Sequence, residues 1–111
     1  MSTDDKQITP GAAHALAAFV SLQEQAVVSR VIYKAPSGQM TVFAFDAGQE
    51  LSEHTSPFDA FVQVLEGRVE LRIGGNPVTA GPGELVLMPG GVPHALRALE
   101  PFKMLLTMYR R

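Results

Sequence analysis

Gly83-Glu84-Leu85-Val86-Leu87-Met88-Pro89-Gly90-Gly91-Val92-Pro93-His94 is the stretch that decides the fold of this chain. The five residues between Gly83 and Pro89 are mostly apolar and fit one short strand. Pro89-Gly90-Gly91 then imposes a turn, since proline fixes φ and glycine admits the left-handed region. His94 follows that turn at the head of the next extended run, 92–98.

Outward from this block the period stays at two. Upstream, Arg68-Val-Glu-Leu-Arg-Ile73 alternates, with Val69, Leu71 and Ile73 on the inner face and Arg68, Glu70 and Arg72 toward water. Gly74-Gly75-Asn76 is a hairpin signal leading into residues 77–80, and Gly81-Pro82-Gly83 turns the chain again. Residues 58–65 are apolar except for Gln63, which predicts a strand covered on both faces. Residues 27–33 and 39–46 are further strands, bounded by Ala35-Pro36-Ser37-Gly38 and Asp46-Ala47-Gly48. Downstream, Glu100-Pro101 precedes a last strand over 102–108. Eight or more short strands with regular turns predict an all-β sandwich or jelly-roll barrel. At the N-terminus, residues 1–8 read as a loose tail. Thr9-Pro10-Gly11 followed by residues 12–19 reads as a short helix, with Thr9 as N-cap and Pro10 in the first turn. The division is therefore a tail and helix over 1–26 and a barrel domain over 27–111.

Composition narrows the functions. The 111 residues suit one domain, and the absence of cysteine removes disulfides, thiolate chemistry and thiolate-held metals. A net charge of −2 with no Lys/Arg stripe argues against nucleic acid as a partner. No apolar stretch approaches the ~20 residues that cross a bilayer, so no membrane is expected as a partner either. The acidic, polar start is unlike a secretory or transit leader, and the expected location is cytoplasmic.

Two spaced patterns carry the candidate chemistry. The first is Gly48, five residues, His54, then a strand ending at Gly67; the second is Gly83, five residues, Pro89, one residue, Gly91, two residues, His94. Together they resemble the two-part signature of the cupin family, over about residues 39–108. The resemblance implies a jelly-roll β-barrel (a double-stranded β-helix) in which His54 and His94 converge at the barrel mouth. In metal-binding cupins three histidines and a glutamate hold the ion. On that pattern the second histidine falls on Ser56, the glutamate on Ala60 (Phe61 at the longer spacing) and the closing asparagine on Ala98. His54 and His94 are thus the candidate metal ligands, an incomplete set for one divalent ion such as Fe, Mn, Ni or Zn. Asp59 lies one residue from the glutamate position, on the opposite face of a regular strand.

Phe43, Phe45, Val62, Val64, Leu87, Met104 and Leu106 read first as core. In so narrow a barrel, inward side chains both fill the interior and wall any cavity. Phe43, Phe45, Val62 and Met104 therefore join Ser56, Ala60 and Gln63 as candidate pocket residues. His14 reads as a surface or packing histidine. Two functions follow as alternatives: a divalent-metal-dependent enzyme acting on a small organic substrate, or a metal-free module that binds or senses a small ligand. As partners the sequence suggests a small molecule and a second copy of the chain, since strands apolar on both faces ask to be covered.

Overall fold

The computed structural model describes residues 8–110, so the expected tail lies, apart from Ile8, outside the described residues. Nine strands follow one another: β1 (Val27–Ala35), β2 (Gly38–Phe45), β3 (Glu50–His54), β4 (Asp59–Glu66), β5 (Val69–Ile73), β6 (Asn76–Ala80), β7 (Leu85–Met88), β8 (His94–Ala98) and β9 (Phe102–Tyr109). They form two antiparallel sheets, ordered β1-β2-β9-β4-β7 and β3-β8-β5-β6. This is an all-β jelly roll: each layer hides its apolar face against the other.

The core between the layers holds Phe45, Val62, Val64, Val69, Leu71, Phe102 and Met104, all buried. The alternation read at β5 is realised, with Val69 and Leu71 buried and Arg72 exposed. Leu87, expected in the core, is 47% exposed instead. It sits on β7, an edge strand whose apolar run is covered on the Val86 side only. Gly67 closes the β4–β5 turn at φ +77°, and a Cβ there would strike the Pro101 carbonyl oxygen.

The helix expected over 12–19 does not form; a single 3-10 turn, Leu16–Phe19, takes its place. Thr9 caps nothing. Its N–H donates to His14 Nε2 (3.0 Å) and its carbonyl accepts from the Ala12 N–H (3.2 Å), closing a turn with Gly11 at φ +79°. That left-handed residue interrupts a helical path which alanine propensity alone would favour. Tertiary contacts then fix the segment: Lys103 Nζ donates to the Ala17 carbonyl (2.8 Å) and Arg30 to that of Phe19 (3.2 Å). Leu16, Phe19 and Val20 thereby cover Ile32, Val42, Ala44 and Leu105 on the outside of the larger sheet. This second core explains why β2 is apolar on both faces.

Candidate functional site

His54 ends β3; it does not open the following strand. Leu51 pairs with Leu96 and His54 with His94, so three steps on β3 match two on β8. The extra residue is absorbed in a bulge at Ser52-Glu53, and Leu51 and His54 both line the interior, where strict alternation would part them. His94 sits across from His54 at the start of β8, delivered by the turn at Pro89-Gly90-Gly91 with Gly91 at φ +84°. The Asp59 carboxylate accepts from the Gly90 N–H (2.9 Å) and so braces that turn.

The two rings meet through their Nε2 atoms at 3.1 Å, nearly edge to face. His54 Nδ1 lies 2.8 Å from the Ser52 carbonyl oxygen and His94 Nδ1 lies 3.1 Å from that of Val92. A carbonyl only accepts, so each Nδ1 carries hydrogen and donates. In neutral rings both Nε2 atoms then present lone pairs to each other. That arrangement asks for something positive or hydrogen-donating between or beside them: a ligand N–H or O–H, or a metal ion. His94 is buried, and burial pushes its pKa below the usual histidine value; the Val92 carbonyl opposes this and His54 adds to it.

The pair opens on a hollow of about 50 Å³, lined also by Leu51, Ser56, Ala60, Met88, Ala95, Leu96, Met104, Leu106 and Met108. Of the residues named from sequence, the structure brings His54, His94, Ser56, Ala60 and Met104 to this hollow. Phe45 and Val62 lie fully buried in the core, and Phe43 packs on its margin. Gln63 is exposed on the opposite face of β4, as its offset from Ala60 dictates. Ser56 Oγ accepts from the Phe58 N–H (3.1 Å). The sequence reading missed Leu51, Met88, Ala95, Leu96 and Met108 as lining residues and took Leu106 for core alone. Met108 shares a face with Met104 by its four-residue spacing on β9, which was the available signal; Met88 was read only as part of an apolar strand.

A cupin family model, described as a cupin domain, matches residues 41–108. The chain belongs to the cupin family. A structure of a conserved Streptococcus pyogenes protein of unknown function is 34% identical to this cupin, with a TM-score of 0.89, and the match covers 96% of this chain and 93% of that one. A cupin 2 conserved barrel domain protein from Leptotrichia buccalis is 36% identical at a TM-score of 0.81, over 84% of this chain and 45% of that one. A cupin superfamily protein from Desulfitobacterium hafniense shares the fold at 22% identity and a TM-score of 0.88, over 96% and 97% of the two chains. No match is found among functionally curated proteins.

The residues of this cupin do not fit the site of three histidines and a glutamate that the family resemblance implies for a divalent ion. Among the described residues no three His, Asp or Glu side chains gather, and no carboxylate lines the hollow. Two nitrogens bound to one first-row ion at about 2.0–2.1 Å stand roughly 2.8–3.4 Å apart for angles from about 90° to tetrahedral, so the 3.1 Å pair is a good bite. Both rings are also anchored through Nδ1 on carbonyls, as ligating histidines usually are. The shortfall lies in the rest of the shell, which is uncharged.

Proposed function

We propose that this cupin is a binding module for a single very small guest, gripped by the Nε2 atoms of His54 and His94. The observation that carries the reading is the convergence of those two atoms at 3.1 Å, with both Nδ1 atoms committed elsewhere. The hollow supports it in size and chemistry. About 50 Å³ is far below the roughly 300 Å³ at which drug-sized pockets begin, and one water needs about 10–15 Å³ on the same measure. A guest of a few heavy atoms, or an ion, is what such a space takes. Apart from Ser56, whose hydroxyl already accepts from the Phe58 N–H, the lining is apolar or thioether, so the polar end of the guest belongs at the histidines.

A catalytic role finds less support. General acid–base chemistry needs a second proton carrier within reach, and among the described residues no Asp or Glu lines the hollow. The partner that fits the outer surface is a second copy of the chain. Leu85, Leu87 and Tyr109 are exposed beside half-buried Phe61, on neighbouring strands at one end of the larger sheet.

Nitrogen NMR of the imidazole side chains tests the binding reading. Methylamine, ethanol, acetone and acetate, and separately Zn(II), Mn(II) and Ni(II), are titrated into the full chain. Shifts at the Nε2 resonances of His54 and His94, saturating with one guest, support the module. Resonances unmoved by every probe while the protein stays folded would overturn it.

A further inference from the structure

The cavity between the two sheets carries an unusual second wall. Ala60, where the relatives' glutamate would stand, pairs with Met88 on β7 and with Met108 on β9. The three residues form one row across the larger sheet, with a small side chain at its centre and a thioether on either side. Met104 follows on the same face of β9, so three of the five methionines line the hollow. The opposite sheet contributes the paired His54 and His94.

We propose that this cavity is a site for one soft monovalent metal ion of the Cu(I) type, held by the imidazoles of His54 and His94 and by thioethers of Met88 and Met108. This rests on the reading of the histidine pair as the gripping group and specifies its guest. Thioether and imidazole donors favour Cu(I), whereas carboxylates and water favour the harder ions. Charge points the same way. Every donor in the set is neutral, so nothing offsets the charge of a buried ion. The Born cost of burial rises with the square of that charge, so a monocation costs about a quarter of what a dication does. Methionine is also a common filler of irregular cores. Here, however, the two methionines flank the position that lacks a carboxylate and line the same hollow as the two imidazoles.

The test is an anaerobic competition of the full chain, with ascorbate present, against the Cu(I) complex of bicinchoninate, together with copper X-ray absorption. The expected result is one Cu(I) withdrawn per chain and a scattering shell containing both nitrogen and sulfur. A tenfold excess of Zn(II) or Mn(II) should not displace it. Met88→Leu/Met108→Leu, a nearly volume-conserving change, should weaken Cu(I) at least tenfold, and the two single variants serve if the double variant fails to fold. His54→Ala/His94→Ala should abolish binding. A shell without sulfur, unchanged affinity in the leucine variants, or displacement by equimolar Zn(II) would overturn the soft-ion assignment and leave the histidine module standing. Failure to withdraw Cu(I) would do the same wherever the imidazole resonances still respond to the organic probes. Copper held equally well without the two histidines would overturn both.

Discussion

At the scale of single residues, the site is governed by what each imidazole has already given away. Both Nδ1–H groups are spent on carbonyls two residues back in the chain, which orients the rings and leaves Nε2 as the working atom. The buried state of His94 gives stability a definite pH dependence. Its folded-state pKa lies below its unfolded value, so the unfolded chain binds the proton more readily. The contribution is fully present above about pH 6.5 and is lost as pH falls through the folded pKa. Urea midpoints measured from pH 7.5 down to pH 5 should therefore fall, and His94→Asn should flatten the profile. Ala60 gives the complementary residue-scale prediction. Ala60→Glu places an uncompensated carboxylate between Met88 and Met108, which should cost about 3 kcal/mol in metal-free protein. Added Zn(II) or Mn(II) should recover the lost melting temperature, because the carboxylate supplies the hard, charged donor that the wild-type shell lacks.

At the scale of elements, turns and bulges decide what the strands deliver. Gly67→Ala adds a Cβ in a left-handed conformation and against the Pro101 carbonyl, so a loss of about 2 kcal/mol or more is expected in denaturant unfolding. Much of this layer was legible in the sequence. Val69, Leu71 and Ile73 gave a clean period of two, and the Gly83–His94 block placed β7, its turn and the head of β8. The rest was hidden for physical reasons. β3 carries one apolar residue, Leu51, among polar neighbours, and its bulge breaks the alternation from which a strand would be read. The alanine-rich segment before residue 20 takes its shape from Lys103 and Arg30, far away in sequence, rather than from its own propensity. Met88 and Met108 became site residues only through the register that sets both beside Ala60, and register is not written in either strand alone.

At the scale of the molecule, the larger sheet wears two different outer faces. The N-terminal segment covers the β1–β2 side, whereas the β4–β7 side stays open, with Leu85 at 61%, Leu87 at 47% and Tyr109 at 57% exposure. Phe61 pairs with Leu87 across the strands and meets the Tyr109 ring edge-on at 6.3 Å, so these side chains are contiguous. A patch of this kind beside an edge strand is what a symmetric pair of chains would bury. Light scattering across a concentration series should show a dimer for the wild type and a monomer for Leu85→Lys/Leu87→Lys, with unchanged circular dichroism. An obligate monomer in the wild type would count against the pairing.

The histidines belong to one layer of the sandwich and the row Met88–Ala60–Met108 to the other. With no cysteine in the chain, no disulfide ties the layers to each other. A guest touching both walls would therefore act as a rivet, resisting the sliding of one sheet over the other. Occupancy would then be felt as mechanical stiffness throughout the barrel, well beyond the few atoms in contact with the guest.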